Sequence, residues 1–292
     1  MNPPRLGAVL PLPRCAAPLP LLLLLACDSV GSKAGPPEES DADADTDTDT
    51  DTDADSDADS DADTDHQTIA IPSYFYPDLD DGGLWASLAE AHDDVSVAVI
   101  NPNSGPGFTP DAAYQDLVPA IQAGGTQVLG YVSTRYGARD PLDVLDEVHL
   151  YYSWYGVDGI FLDEGPDTAS CEGVRVQYDG YAAAIHAEGS LVALNPGTDT
   201  CESYLDFIDV LLLFEDDARG WDAAAQPAWM ARYSPDRFWM LAYNQPDAEA
   251  AAALAEEAWS VGYGRVYITD DTLPNPWDTL PPYWDALLGA LP

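Results

Sequence analysis

Gly159-Ile160-Phe161-Leu162-Asp163-Glu164 is a short apolar run closed by two acids, and Leu211-Leu212-Leu213-Phe214-Glu215 is a second run closed by an acid. Both read as short strands. Working outward, eight such runs recur, at 69–74, 95–100, 127–132, 159–162, 191–194, 210–214, 238–242 and 265–268. Between them lie helix-like stretches at 84–92, 111–123, 142–154, 171–188, 201–207, 223–231 and 247–260, and a last one follows at 283–288. Strand-then-helix alternation implies parallel strands joined by crossovers. Eight repeats in the 226 residues of 67–292 predict an α/β fold, a (β/α)8 TIM-like barrel, whose usual size is about 250 residues. A doubly wound open sheet is the alternative, but it usually carries a Gly-rich phosphate loop after its first strand. Here that position reads Tyr74-Phe75-Tyr76-Pro77. After the second strand, Asn103-Ser104-Gly105-Pro106-Gly107 reads as a turn, because its proline removes an N–H that a phosphate nest needs.

Composition divides the 292 residues into three parts. All eight Trp and all sixteen Tyr fall in 67–292, which reads as one aromatic-rich folded domain. That domain carries 36 acidic residues against seven Arg and no Lys, a net charge of −29 within the −42 of the whole chain. Such a surface repels phosphate backbones, so no nucleic-acid partner is expected. Residues 1–27 hold Arg5 and Arg14, then an apolar run over 16–26 that is too short to span a bilayer, which needs about twenty residues. The segment reads as a signal peptide. It ends Leu24-Leu25-Ala26-Cys27, which resembles a bacterial lipobox with Cys27 as the lipidated residue. The expectation is an exported bacterial protein, anchored to the cell envelope through acylated Cys27 with the lipid bilayer as partner, and otherwise monomeric. Residues 28–66 read as a disordered linker: from Asp41 to Asp65 every second residue is Asp, with only Ala, Ser or Thr between. Fully extended, it reaches about 130 Å. The run lacks the Gly and the bidentate Glu of an EF-hand loop, and reads as solvated rather than calcium-binding.

In a barrel of this kind the chemistry lies at the C-terminal ends of the strands. Those positions hold Tyr74 and Tyr76, Asn101 and Asn103, Tyr131, Asp163 and Glu164, Asn195, Glu215 and Asp216, Tyr243 and Asn244, and Asp270. Aromatic rings, amides and carboxylates with almost no cations suit a carbohydrate. Paired carboxyls are the machinery of glycoside hydrolysis, one giving a proton to the leaving oxygen and the other acting ionised. Clustering raises the pKa of one of them, which separates the two roles near neutral pH. Asp163 and Glu164 are adjacent, so on a regular strand they point to opposite faces. His66, His92, His149 and His186 show no paired metal-ligand spacing, no Gly-x-Ser-x-Gly elbow is present, and neither metal nor cofactor is expected. Cys171 and Cys201 follow the fourth and fifth strands, neighbours in a barrel, and an exported chain favours a disulfide there over a nucleophile.

Four segments carry a family resemblance: Ile71-Pro72-Ser73-Tyr74-Phe75-Tyr76-Pro77; Ile100-Asn101-Pro102-Asn103-Ser104-Gly105-Pro106-Gly107; 129–139, which begins Leu129-Gly130-Tyr131; and 154–164, which ends Phe161-Leu162-Asp163-Glu164. In this order the chain resembles the spherulin-4 (spherulation-specific family 4) domain over essentially all of 69–290. The resemblance implies a (β/α)8 glycoside hydrolase of microbial surface polysaccharides, similar to endo-acting enzymes that cut α-1,4-linked N-acetylgalactosamine in galactosaminogalactan. It also implies three essential acids, which by motif fall on Asp163, Glu164 and Glu215. The expected assignment is Asp163 as nucleophile or charge stabiliser, Glu215 as acid/base and Glu164 as the group tuning them. Tyr74, Tyr76, Asn101, Asn103, Tyr131, Asn195, Tyr243 and Asp270 are the expected substrate-binding residues. The alternative on the same barrel is a non-catalytic polysaccharide-binding or structural envelope protein.

Overall fold

The computed structural model describes residues 66–77 and 83–292. The expected leader with Cys27, and the linker up to residue 65, lie outside the described residues.

Eight strands form the barrel: β1 (Thr68–Pro72), β2 (Val95–Ile100), β3 (Gln127–Ser133), β4 (Gly159–Asp163), β5 (Leu191–Leu194), β6 (Val210–Asp217), β7 (Phe238–Tyr243) and β8 (Arg265–Ile268). They pair in parallel in chain order, and β8 closes on β1. The helices are α1 (Leu84–Glu90), α2 (Ala112–Gln122), α3 (Pro141–Tyr155), α4 (Cys171–His186), α5 (Ala248–Ser260) and α6 (Trp284–Leu288). The molecule is therefore the expected (β/α)8 barrel. Among the described residues no helix is long and apolar enough to cross a membrane.

Two crossovers differ from the expected helices. Stretch 201–207 makes only a 3-10 segment, Glu202–Asp206, and stretch 223–231 makes two, Ala223–Ala225 and Ala228–Arg232. The first has too few residues to nucleate an α-helix and is pinned at one end, where the Cys201 sulfur is bonded to that of Cys171 at the start of α4. The second contains Pro227, which lacks the N–H that a continuing helix needs and restricts the residue before it.

Part of the acidic surplus has a local use. Asp111, Asp140 and Asp247 each accept a backbone N–H at the start of α2, α3 and α5, and Asp217 and Asp222 do the same for 3-10 turns. Helix docking is close at β3. A Cβ on Gly130 would lie 2.4 Å from the ring of Tyr151, so only glycine lets this α3 ring pack directly on the strand. Inside the barrel, Phe161 of β4 packs edge-on against Trp239 of β7 with centroids 5.3 Å apart. These rings fill the space beneath the strand ends and form the floor on which the site sits.

Candidate active site

Side chains alternate along a strand, and Phe161 faces the barrel interior, so Asp163 two residues later faces it too. On β6, simple alternation fails. Leu212 is level with Trp239, yet Glu215 is level with Leu241, so β6 advances three residues while β7 advances two. This bulge at Leu212–Phe214 reverses the parity of the strand and turns Glu215 inward. Without it Glu215 would face the helices.

Asp163 and Glu215 meet in a cavity of about 230 Å³ at the C-terminal mouth of the barrel. Tyr74, Asn101, Tyr131, Asn195 and Tyr243 line it, as do Phe161 and Leu241 below. Asn195 is the hub. Its Nδ2 donates to Asp163 Oδ1 at 2.9 Å and to Glu215 Oε2 at 2.6 Å. Its Oδ1 accepts the Gly197 N–H at 2.7 Å, which fixes the amide with its nitrogen toward the acids. One nitrogen thus holds an oxygen of each carboxyl, and the two bonds end to end keep those oxygens within about 5.5 Å.

Burial raises the pKa of both acids above the ordinary carboxylate range. For Asp163, hydrogen bonds from the Tyr131 hydroxyl, the Glu164 backbone and Asn195 oppose that rise. For Glu215, bonds from Asn195 and the Trp277 side chain oppose it, while the nearby charge of Asp163 adds to it. Tyr74 and Tyr131 are pushed well above the usual phenol range by burial first and by the charge of Asp163 second, so both stay protonated.

Four of the expected residues do not line this cavity. Glu164 has φ 54°, which carries its side chain to the other side of Tyr131. There it lines a second cavity and accepts from the Ser133 hydroxyl. Tyr76 is half exposed and donates to both carboxylate oxygens of Asp111, at 3.1 Å each, beside the start of α2. Asn103 is exposed in the β2–α2 turn, where its N–H donates to Gly105 O at 3.1 Å and Asn101 Oδ1 accepts from Gly105 N at 2.9 Å. Asp270 acts electrostatically on Tyr267 and Tyr283 instead.

Conversely, the loop after β8 supplies a wall that the strand-end reading missed. Leu273, Pro274, Asn275, Pro276 and Trp277 all line the cavity, and the Trp277 ring packs edge-on against Tyr243 at 6.3 Å. The legible signal was a tryptophan in a proline-rich run directly after the last strand. Cys171, Glu172 and Cys201 approach one another, but the two sulfurs are bonded together and leave no thiolate for a metal; their Cα atoms are 6.0 Å apart.

The spherulation-specific family 4 model matches residues 68–291. The chain belongs to this family. It is 31% identical over 214 residues to spherulin-4 of Physarum polycephalum, a match spanning 69% of this chain and 63% of that relative. Among solved structures, this family 4 barrel superposes on Sph3 of Aspergillus clavatus, crystallised in complex with GalNAc, with TM-score 0.67, 21% identity, and coverage of 77% of this chain and 97% of Sph3. A chitinase of Chromobacterium violaceum shares the barrel at TM-score 0.50 and 11% identity, over 76% of this chain and 99% of its own. These solved structures share the TIM-barrel fold of this chain.

Proposed function

We propose that the chain is a glycoside hydrolase whose working pair is Asp163 and Glu215. The observation that carries this is the single Asn195 nitrogen bonded to both carboxyls inside an aromatic-walled cavity. Sharing one donor keeps the two carboxyls close, which favours a retaining reaction over an inverting one, whose carboxyls lie roughly 6.5–9.5 Å apart. Asp163, whose carboxylate accepts from Asn195, the Tyr131 hydroxyl and the Glu164 backbone, takes the nucleophile role in this reading. Glu215, raised by burial and by Asp163, keeps its proton and serves as acid. In the first step an Asp163 oxygen attacks the anomeric carbon as the glycosidic C–O bond breaks, and the Glu215 proton passes to the departing oxygen. In the second, Glu215 takes a proton from water, whose oxygen replaces Asp163 at that carbon.

The proposed substrate is a microbial amino-sugar polysaccharide, of the α-1,4-linked N-acetylgalactosamine type, cut internally. The GalNAc bound to Sph3 and the tyrosine hydroxyls and asparagine amides that line the cavity here support that choice. We also propose that acylation of Cys27 holds the enzyme at the cell envelope through the Asp-rich linker.

The test replaces Glu215 by Gln, which keeps the shape and removes the transferable proton. Cleavage of N-acetylgalactosamine polymer by the barrel domain falls by at least about 10² while binding survives. Cleavage by Glu215→Gln at the parent's rate would refute the assignment, and a parent that binds the polymer without cutting it would make the protein a polysaccharide binder.

A further inference from the structure

All eight strands run parallel, so β5 to β8 begin at the end of the barrel opposite Asp163 and Glu215. Around those starts lies a cavity of about 550 Å³, within the usual range of small-ligand sites, about 300–1,000 Å³. One wall is apolar, with Leu191, Leu205 and Phe207, and the other is charged, with Asp236, Arg237 and Arg265. Arg265 is level with Trp239, which packs against Phe161 inside the barrel, so the Arg265 side chain also starts inward.

Most charges around this cavity are met in place. Asp209 Oδ2 bonds to His186 Nε2 at 2.9 Å and accepts Val192 N at 2.7 Å, and Asp206 pairs with Arg175 at 2.7 Å. Arg237 gives Nε to Asp209 O at 2.5 Å, and Nη2 to Leu205 O and Ile208 O at 3.1 and 2.5 Å. It is a clamp on the connection from β5 to β6. Arg265 differs. Its Nε and Nη1 are sealed from solvent and have no hydrogen-bond partner among the described residues, and the same holds for Asp236 Oδ1. Asp236 acts on Arg265 through its charge, yet the two form no ion pair within 4.0 Å. A sealed charge with unmet donors is costly. The arrangement is also rigid. Gly264 N donates to Pro235 O at 2.7 Å, and a Cβ on Gly264 would lie 2.5 Å from Pro235 C and 2.6 Å from Asp236 N. Only glycine there lets the turn that carries Asp236 dock directly before Arg265. The cavity thus holds a cation and an anion fixed near each other but not joined, beside an apolar wall.

A free anion would meet Arg265 but be repelled by Asp236 and Asp209, and a free cation would be repelled by Arg237 and Arg265. A zwitterion opposes neither. We propose that this cavity binds a free α-amino acid with an apolar side chain, its carboxylate on Arg265, its ammonium on Asp236 and its side chain against Leu191, Leu205 and Phe207. The two charges of an α-amino acid sit on adjacent carbons, so one small head reaches both protein groups. A carboxylate on a guanidinium makes charge-assisted bonds, about twice as strong as neutral ones. The site lies at the other end of the barrel from the proposed cleavage and does not depend on it.

The experiment titrates the purified full chain by calorimetry with leucine, with leucinamide, which lacks the carboxylate, and with isocaproate, which lacks the ammonium. Leucine binds with Kd below about 1 mM. The amide and isocaproate each bind at least about tenfold more weakly, and so does glycine, which brings no apolar side chain. Arg265→Met abolishes leucine binding. Asp236→Asn weakens leucine at least about tenfold and leaves isocaproate unmoved or tighter, a split that a general loss of structure does not produce. The probe series on the parent decides the matter even where a variant fails to fold. No binding of leucine up to about 10 mM overturns the proposal. So do equal affinities for leucine and isocaproate, or an unchanged leucine affinity in folded Asp236→Asn. Displacement of leucine by N-acetylgalactosamine also overturns it, since that would put the leucine in the cavity of Asp163 and Glu215.

Discussion

Asn195 shows how one neutral side chain sets two acids. It is buried, its Oδ1 is fixed by Gly197 N, and its Nδ2 faces both Asp163 and Glu215. A donor to a carboxylate favours the ionised form, so removing it raises both pKa values above their already raised positions. In the proposed mechanism cleavage requires Asp163 ionised and Glu215 protonated. Asn195→Ala therefore moves both limbs of the bell-shaped pH–rate profile to higher pH. The maximal rate falls by about tenfold or more as the pair loses its spacing. The profile of kcat/KM against pH checks this, because a merely structural loss lowers the rate and leaves the limbs in place.

At the scale of elements, the connection from β5 to β6 lacks an α-helix and relies on covalent and polar ties. The Cys171–Cys201 bond closes a loop with a sequence separation of 30. The Tyr204 hydroxyl donates to Cys171 O at 2.9 Å, and Arg175 of α4 reaches Ser203 O and Asp206. Closing a loop of that length stabilises by roughly 3–4 kcal/mol in the chain-entropy model. The Cys171→Ser, Cys201→Ser protein should melt about 6–16 °C lower, at about 2–4 °C per kcal/mol for a domain of this size. Thermal unfolding with and without reductant tests it: the parent loses stability on reduction and the double variant does not. The same connection carries Asn195 at its start, so loosening it also lowers the rate.

At the scale of the whole molecule, the barrel is strongly anionic and follows an acidic run that contributes thirteen further aspartates between Asp41 and Asp65. The expected outcome is a mature chain starting at a lipidated Cys27. Intact mass of membrane-extracted protein checks it: a diacylglyceryl-modified Cys27 supports the anchor, and an unmodified N-terminus elsewhere rules it out.

Sequence alone determined the order of the eight strands and of six of the helices, because apolar runs and their spacing are local properties that burial in a parallel barrel demands; the crossovers at 201–207 and 223–231 it read as helices and they are short 3-10 segments. It also placed Asp163 and Glu164 at the end of β4, but which of the pair points inward was decided by the structure, where Phe161 faces the interior and alternation carries Asp163 inward. Glu215 was placed at the right strand end, but its inward direction depends on the bulge in β6, which is set by how β6 meets β7. The positive φ that sends Glu164 past Tyr131 is imposed by Thr134 and Tyr136 from the neighbouring loop, about thirty residues away in the chain. Tyr76 turned to Asp111, and Trp277 closed over Glu215, for the same kind of reason. Loop conformations have no periodicity to read, and they are fixed by contacts that exist only once the barrel has closed.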